Sequence, residues 1–306
     1  MNVAIIHTGA VGDLVQALPA LAAVREACPA ATVTFIGRPE RGALARVAGA
    51  CDACIDIETS GLWRALAGDP CGPCPAWLAD AELILDFLTK GTLAERHGKG
   101  RRVVTVDPLP PEGFHRPAAV YLAEQVRDAL DLPAPPEDDR PEIPLDAAAM
   151  DGGREALAAR GVREPFVLIH PGSGSLRKNW PMDRFETLAR RLRDEAGRTV
   201  VWLTGPAEAE RSTVPTGGEA VLQDLSLAEV AAVCALADAY VGNDSGITQI
   251  AAAVRPATPV VALFGPTDPR VWAPRSAHVP LVCSPDGTMG AIDVGTVWEA
   301  MQAALA

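Results

Sequence analysis

The chain has 306 residues, of which 48% are hydrophobic and 22% are charged, and this composition excludes a disordered or fibrous protein. It carries 27 Lys and Arg against 39 Asp and Glu, and the resulting net charge of −12 would repel a nucleic-acid backbone. No apolar run is long enough for a membrane helix, and the first residues lack the pattern of a signal peptide. We therefore expect a cytoplasmic protein of two domains with no nucleic-acid partner.

Short apolar runs alternate with helical patterns along the chain, which predicts an α/β fold built from stacked βα units. The strands predicted in the first half are residues 3–7, 32–36, 83–87 and 103–106. Residues 132–144 are rich in proline and charge and predict a linker. The pattern then restarts, with strands at 166–170, 199–203, 239–242 and 259–264, and helices at 225–237, 246–254 and about 294–305. The sequence thus predicts two doubly wound domains, residues 1–145 and 146–306, with a ligand cleft between them.

Seven cysteines are scattered along the chain, an odd number that fits a reducing compartment better than a disulfide framework. Four of them have the spacing of a four-thiolate zinc site: Cys51, Cys54, Cys71 and Cys74. The apolar alternation around Cys54 favours a small core residue instead, and a chain of this length needs no metal staple. The second pair also has the spacing of a thioredoxin-type redox pair, but no strand precedes it at the right distance. We expect no metal, with zinc and redox roles as weaker alternatives.

Between the first predicted strand and the first helix lies Gly9-Ala-Val-Gly12-Asp13. Glycines at this point allow a tight turn and a close approach of the backbone to a ligand. We expect Asp13 to be the N-cap of the helix, with a general base that takes a proton from a substrate hydroxyl as the alternative. The motif lacks the third glycine and the later acidic residue of a dinucleotide fingerprint, which argues against an oxidoreductase.

A second loop follows the strand at 166–170 and reads His170-Pro-Gly-Ser-Gly-Ser-Leu-Arg-Lys-Asn-Trp-Pro181. Amides and hydroxyls around Ser173 and Gly174, together with the charge of Arg177 and Lys178, suit a diphosphate. The chain has only three lysines, and one of them is in this loop. The alternative is a solvated turn that is anchored by Trp180. The position of the lysine does not match a Walker loop.

A third motif, Gly242-Asn-Asp-Ser-Gly246, joins a strand to an alanine-rich helix. The first amides of that helix and its positive dipole end predict anion binding at the start of the helix, near Ser245 and Gly246. Asp244 is expected either to cap the helix or to orient a ligand hydroxyl or a positively charged group.

Two further features are weaker. Glu208 follows the strand at 199–203, where a carboxylate can accept hydrogen bonds from ribose hydroxyls. A basic segment is either a solvated face or a contact for an acidic acceptor. It contains Lys90, Arg96, Lys99, Arg101 and Arg102, opposed only by Glu95.

Together these motifs resemble the ADP-heptose:lipopolysaccharide heptosyltransferase family, family 9 of the glycosyltransferases, over nearly the whole chain. The matching segments are Gly12-Asp13 with Leu18-Pro-Ala-Leu21, His170 to Gly174 with Lys178 to Pro181, Gly205 to Glu208, Gly242 to Gly246, and Phe264 to Pro269. The resemblance implies a GT-B fold of two Rossmann-like domains. It also implies that the first domain binds mainly the acceptor and the second binds the nucleotide-sugar.

The resemblance implies an inverting displacement, in which a base deprotonates an acceptor hydroxyl that attacks the anomeric carbon and expels a nucleoside diphosphate. Asp13 matches the base, and Lys178 matches a group that stabilises the leaving diphosphate. The donor positions match Gly12, Ser173, Gly174, Glu208, Asp244, Ser245, Gly246 and Gln249. The family implies no metal cofactor; the co-substrate is a nucleotide-sugar, expected to be ADP-heptose. The implied acceptor is a lipopolysaccharide-core or related glycan at the inner face of the cytoplasmic membrane, with at most peripheral membrane contact.

Gln249 departs from the family pattern, which places histidine at this position. An amide can donate a hydrogen bond to phosphate but has no charge, which removes roughly 1.5–3 kcal/mol of charge-assisted bonding. The expected function is therefore an inverting glycosyltransferase, and two alternatives remain open. One is a catalytically weak or inactive relative that binds nucleotide or glycan without transfer, and the other is a GT-B-like nucleotide-sugar epimerase.

Overall fold

The computed structural model describes residues 1–306 except 68–73, 89–92, 94–96, 98–99, 137–138, 206–219 and 276–278. The chain divides into two units, Met1–Glu142 and Ile143–Ala306. The division lies within the segment 132–144 that the sequence predicts as a linker, close to the predicted boundary after residue 145. None of the described helices is long and apolar enough to cross a membrane.

The first unit is built on a five-stranded parallel sheet with the order β3-β2-β1-β4-β5. Its strands are β1 (Asn2–Ile6), β2 (Thr32–Gly37), β3 (Ala53–Asp56), β4 (Leu83–Asp86) and β5 (Arg102–Thr105). Its described helices are α1 (Val11–Ala27), α2 (Pro39–Val47), α3 (Leu62–Ala67), α4 (Ala76–Asp80) and α5 (Ala118–Ala129). The strand order reverses direction between β1 and β4, so this is the topological switch point where α/β sheets bind ligands.

Burial in β1 and α1 explains why the N-terminal residues fold in this way. Four of the five residues of β1 are buried, as expected for a parallel strand whose two faces are both covered. In α1 the predicted apolar stripe of Leu14, Leu18, Leu21 and Val24 is buried, and the helix packs against α5. The turn between the two elements is therefore fixed from both sides.

The second unit is built on a six-stranded parallel sheet with the order β13-β12-β10-β7-β8-β9. These strands are β7 (Val167–His170), β8 (Val200–Leu203), β9 (Ala220–Leu222), β10 (Ala239–Asn243), β12 (Val260–Phe264) and β13 (Leu281–Cys283). A separate parallel pair joins β6 (Ile143–Pro144) to β11 (Val254–Arg255). The helices are α6 (Ala147–Ala158), α7 (Met182–Asp194), α8 (Leu227–Leu236), α9 (Gly246–Ala253), α10 (Pro269–Trp272) and α11 (Val294–Ala304). Here the switch point lies between β7 and β10.

The strands predicted from apolar runs agree with the structure to within one or two residues at each end. The apolar runs did not predict five short strands. The two-residue strands β6 and β11 lie in the predicted linker and at the end of the predicted helix 246–254. The other three, β3, β9 and β13, lie at sheet edges and contain half-buried or exposed residues. An edge strand with partial exposure has no continuous apolar run, so periodicity does not reveal it.

Candidate functional site

Asp13 lies in the first turn of α1, immediately after the carboxyl end of β1. The prediction that Asp13 is the N-cap is wrong, because Ala10 occupies that position and Asp13 is the third residue of the helix. Its Oδ2 accepts a hydrogen bond of 2.8 Å from the Ala10 backbone N–H, so the carboxylate caps the turn from inside the helix. A Cβ on Gly9 would lie 2.9 Å from this oxygen, which explains the glycine. Gly12 is in the same turn and is half-buried, as is Asp13.

A cavity of about 570 Å³ lies beside Asp13 in the first unit. Its polar lining includes Asp13 in the first turn of α1, His7 directly after β1, and Asp86 at the end of β4. Its apolar lining includes Trp63 and Leu109, whose exposed fractions of 63% and 57% are unusual for such large apolar side chains. Apolar walls around a few polar groups are typical of a small-molecule site.

His7 and Asp86 are polar side chains that the sequence analysis did not select. They are only 2% and 1% exposed, and among the described residues His7 Nδ1 and Asp86 Oδ2 have no hydrogen-bond partner. The other Asp86 oxygen accepts a hydrogen bond of 2.8 Å from the Leu88 N–H. An unpaired buried polar group costs about 1–3 kcal/mol, so these two atoms lower the stability of the first unit. The only signal in the sequence is a polar residue at the end of an apolar strand.

Burial sets the protonation of both side chains. Burial raises the pKa of the Asp86 carboxyl, and the Leu88 hydrogen bond opposes this effect. Burial and, second, the charge of the Arg41 guanidinium lower the pKa of His7 to about 4. His7 is therefore an uncharged imidazole at neutral pH.

The second unit brings together Lys178 and Asp244, which lie in the loop after β7 and the turn after β10. Lys178 Nζ is 2.7 Å from Asp244 Oδ2, and the Thr267 hydroxyl donates to the same oxygen at 2.6 Å. The Asp244 side chain is 9% exposed, whereas that of Lys178 is 32% exposed. The carboxylate thus holds the ammonium in place and leaves part of it accessible to a ligand. Thr267 belongs to the segment from Phe264 to Pro269 that resembles the family, but no role was predicted for its side chain.

The helix that follows Asp244 is capped by its neighbour. The prediction that Asp244 caps α9 is wrong, because Ser245 is the N-cap and its Oγ accepts a hydrogen bond of 3.2 Å from the Thr248 N–H. Asp244 instead pairs with a positively charged group, the other expectation for it. Gly246 is the first residue of α9. Gln249 is buried, and its Nε2 donates to the Trp272 carbonyl oxygen at 2.7 Å.

Hydrogen bonds within the loop 170–181 fix its conformation, and this is the loop where the sequence predicts a diphosphate site. The buried Ser173 hydroxyl lies 2.7 Å from the Ser175 carbonyl oxygen and accepts a hydrogen bond of 3.2 Å from the Ser175 N–H. Gly174 is exposed, and a side chain there would meet open space. Ser173 therefore shapes this loop, whereas Gly174 presents its backbone on the surface.

Asn243, at the end of β10, forms hydrogen bonds with the backbone at both ends of this loop. Its Nδ2 donates to the Pro171 carbonyl oxygen at 2.7 Å, and its Oδ1 accepts from the Trp180 N–H at 3.0 Å. Trp180 is buried, and its indole nitrogen donates to the Ile292 carbonyl oxygen at 3.0 Å. Trp180 is thus the packing anchor that one interpretation of the loop expected, and Asn243 is a residue that the sequence analysis missed.

Several predicted residues lie outside the described part of the chain: Cys71, Lys90, Glu95, Arg96, Lys99 and Glu208. Of the basic segment, Arg101 and Arg102 are described. Arg101 is half-buried, whereas Arg102 donates to the Ala129 carbonyl oxygen and lies 3.4 Å from Asp131.

The cysteines of the weaker zinc alternative occupy different environments. Cys51 is buried with its Sγ 3.8 Å from the Gly42 carbonyl oxygen, and burial raises the pKa of its thiol to about 12. Cys54 packs against Gly42, whereas Cys74 is exposed. A raised pKa disfavours the thiolate that a metal or a redox partner requires. Across the described ranges, no group of three or more His, Cys, Asp or Glu side chains is placed to hold a metal ion.

The family profile described as "Glycosyltransferase family 9 (heptosyltransferase)" matches residues 117–295. This chain belongs to glycosyltransferase family 9. It is 29% identical over an alignment of 299 residues to lipopolysaccharide heptosyltransferase 1 of Pseudomonas aeruginosa, covering 88% of this chain and 80% of that protein. It is also 32% identical over 136 residues to lipopolysaccharide heptosyltransferase 3 of Escherichia coli K12, covering 41% of this chain and 38% of that protein. The family resemblance inferred from the motifs is confirmed, and so is the glycosyltransferase class.

Solved structures of family 9 proteins share the fold over nearly the full length. The glycosyl transferase family 9 protein of Veillonella parvula superposes with a TM-score of 0.78 at 18% identity, covering 99% of this chain and 97% of that one. The ADP-heptose lipopolysaccharide heptosyltransferase II of E. coli gives 0.76 at 19% identity, covering 100% and 98%. E. coli heptosyltransferase WaaC with ADP gives 0.72 at 20% identity, covering 99% of both chains. The predicted α/β fold of the GT-B class is therefore confirmed.

Proposed function

We propose that this family 9 glycosyltransferase transfers heptose from ADP-heptose to a lipopolysaccharide-core or related surface-glycan acceptor, with inversion at the anomeric carbon. The observation that carries the proposal is the Lys178–Asp244 pair beside the start of α9, at the switch point of the second sheet. An ammonium held next to a helix N-terminus suits a diphosphate. The names of the relatives, lipopolysaccharide heptosyltransferases, support heptose as the sugar.

In the first unit, Asp13 serves as the general base. Its carboxylate takes the proton of an acceptor hydroxyl, and the oxygen attacks the anomeric carbon of the donor from the face opposite the diphosphate. The bond between that carbon and the diphosphate oxygen breaks, and ADP leaves with the electron pair. The hydrogen bond from Ala10 holds Asp13 in position beside the cavity.

In the second unit, Lys178 and the amide end of α9 stabilise the negative charge that develops on the leaving diphosphate. Asp244 positions the ammonium of Lys178, because its Oδ2 accepts a hydrogen bond from Nζ. The Thr267 hydroxyl donates to the same oxygen and so orients the carboxylate. No metal ion is then needed beside the nucleotide-sugar, because these groups supply the positive charge. Gly12, Ser173, Gly174, Ser245, Gln249 and Glu208 complete the proposed donor contacts.

The units divide the substrates between them in this proposal: Met1–Glu142 binds the acceptor and Ile143–Ala306 binds the nucleotide-sugar. A glycolipid acceptor would bring the protein, by peripheral contact, to the inner face of the cytoplasmic membrane, where cytoplasmic nucleotide-sugars are accessible.

Calorimetric titration with ADP, UDP and GDP in metal-free buffer tests the donor. We expect selective binding of ADP, followed by release of ADP when ADP-heptose and a core-glycan acceptor are both supplied. Preference for UDP or GDP would remove ADP-heptose from the proposal. Binding of none of the three would favour the inactive relative, and turnover of the sugar without ADP release would favour an epimerase.

A further inference from the structure

We propose that Met289 is a positioning residue for the proposed diphosphate site, because its packing fixes the separation of the two loops that supply Lys178 and Thr267. The inference rests on the proposed function, since it assigns to that site a packing contact on which the geometry of its charged groups depends. Met289 lies outside every motif that the sequence analysis selected.

The two loops meet at one carboxylate oxygen. Lys178 comes from the loop after β7 and Thr267 from the loop after β12. Lys178 Nζ is 2.7 Å and the Thr267 hydroxyl is 2.6 Å from the same atom, Asp244 Oδ2. A hydrogen bond of this length is lost when one partner moves by about 1 Å. Both contacts together therefore require that the two loops keep a fixed separation.

Met289 holds the loop of Thr267. Its side chain packs against Gly265, two residues before Thr267, and a Cβ on Gly265 would lie 2.5 Å from Met289 Sδ and 3.1 Å from its Cγ. Atoms do not approach this closely without strain, so the glycine is required while Met289 keeps its place. Met289 is buried, and its unbranched thioether fills the space against the glycine.

The same short segment holds the loop of Lys178. Met289 begins a 3₁₀ turn that ends at Ala291. The next carbonyl oxygen, that of Ile292, accepts a hydrogen bond of 3.0 Å from the indole nitrogen of Trp180. Trp180 is two residues after Lys178 and belongs to the same buried core cluster as Met289. A displacement of Met289 is therefore expected to displace both loops.

Hydrogen bonds on both sides of Met289 limit how far its backbone can adapt. Before it, the Asp286 carboxylate accepts hydrogen bonds of 2.8 Å from the N–H and from the hydroxyl of Thr288. After it, the Arg184 guanidinium donates to two carbonyl oxygens within residues 290–292. The backbone around Met289 is thus fixed, so a change in its side chain acts on the loop that packs against it.

Lysine-selective NMR of the isotope-labelled, full-length protein tests the inference without any ligand. The chain has only three lysines, so the ammonium of Lys178 gives one of three side-chain signals, and Lys178→Arg identifies it. Asp244→Asn gives the position of this signal when the ion pair is lost. We expect Met289→Ala to move the signal toward that position and Met289→Leu to leave it in place, because leucine retains most of the volume. An unmoved signal in Met289→Ala overturns the inference.

Met301→Ala is the matched control, because Met301 is buried in the same core cluster but lies on α11. Both alanine variants should lower the free energy of unfolding in urea by a similar amount. Only Met289→Ala should move the Lys178 signal and weaken ADP binding, by about two- to tenfold. Equal movement of the signal in the two variants would show a general loss of packing and contradict the assigned role.

Gly265→Ala tests the contact from its other side. The added methyl group meets Met289 Sδ, so this variant should also move the Lys178 signal, even if Met289→Ala does not fold. In the double variant Gly265→Ala/Met289→Ala the close approach to Sδ and Cγ is removed, and the new methyl group occupies part of the space. The signal should then lie nearer to wild type than the sum of the two single shifts. Additive shifts would overturn the proposed contact.

An ADP titration of the same samples separates this inference from the proposed function. If wild type does not bind ADP but the Lys178 signal responds as expected, the positioning role of Met289 is retained and the proposed transferase is removed. If ADP binds and the signal does not respond, the donor site is retained and the positioning role is removed.

Discussion

The Nζ of Lys178 lies 2.7 Å from Oδ2 of Asp244, although 66 residues separate them in the chain. The contact joins the loop after β7 to the turn after β10, the two segments that leave the switch point of the second sheet. Because the carboxylate is nearly buried and also receives the Thr267 hydroxyl, the ammonium is oriented before any ligand binds. Such preorganisation makes a charge most effective against a developing anion.

Lys178→Gln should weaken ADP binding by about 10- to 100-fold, because a charge-assisted bond to phosphate is replaced by a neutral one. Isothermal calorimetry of the two proteins at the same ionic strength measures the change. Arg190→Gln removes a cation from an exposed position on α7 and should leave ADP affinity unaltered. Equal loss in both variants would point to general electrostatics rather than to the ion pair.

Asp13→Asn should lower the rate of transfer by about 10²- to 10⁴-fold, the usual contribution of a general base. The amide oxygen can still accept the Ala10 hydrogen bond, so the start of α1 should be retained. ADP affinity should change little, because Asp13 is not among the proposed donor contacts and all of those except Gly12 belong to the second unit. Single-turnover assays with ADP-heptose measure the rate, and a variant with full activity would show that another group takes the proton.

His7 should make the first unit sensitive to acid. Its folded pKa is about 4 against an ordinary value of 6.5, so the unfolded chain binds the proton more readily. The contribution of uncharged His7 to the free energy of unfolding is fully present above the ordinary pKa. It is lost as the pH falls from the ordinary pKa to the folded pKa. Between about pH 7 and about pH 4.5 the loss should be about 2–3 kcal/mol.

Urea unfolding of wild type and His7→Gln at both pH values isolates this contribution from those of the carboxylates. The decrease in the free energy of unfolding should be smaller in the variant by that amount. Parallel decreases in the two proteins would mean that His7 is already charged in the folded state or is accessible to water.

Gln249→His should tighten ADP binding by up to about tenfold at about pH 6, where an imidazole is substantially protonated, and by less at about pH 8. Gln249→Ala should instead lower the free energy of unfolding by about 1–3 kcal/mol, because the Trp272 carbonyl loses its donor. Calorimetry at the two pH values and urea unfolding provide the measurements. If Gln249→His bound ADP with the same affinity at both pH values, the side chain at this position would act only on the Trp272 carbonyl.

The strands and the turns between them could be predicted from the sequence, whereas the N-cap residues of the helices could not. Buried parallel strands produce apolar runs, and the glycine-rich turns between them are local in sequence, so both were found. The N-cap positions of α1 and α9 were misassigned by one to three residues, because Ala10 and Ser245 hold them in place of Asp13 and Asp244. Which residue leaves the helical conformation depends on the backbone path out of the preceding strand, and residue type does not determine that path.

The candidate site could be predicted as a set of loops but not as a set of contacts. The pairing of Lys178 with Asp244 depends on β7 and β10 being neighbours in the sheet, which is a property of strand order. His7 and Asp86 were missed because their significance lies in burial without a partner. Strand order and the burial of a single side chain depend on contacts between segments that are distant in the sequence.

The two hydrogen bonds of Asn243 close the segment from Pro171 to Trp180 into a ring within the folded protein. The conformational entropy of ordering this loop is therefore lost during folding rather than on association with a ligand. A nucleotide bound at the proposed site would retain more of its interaction free energy as affinity, since little further freedom would be removed. One buried amide would thus link the rigidity of this loop to the strength with which the proposed site holds a diphosphate.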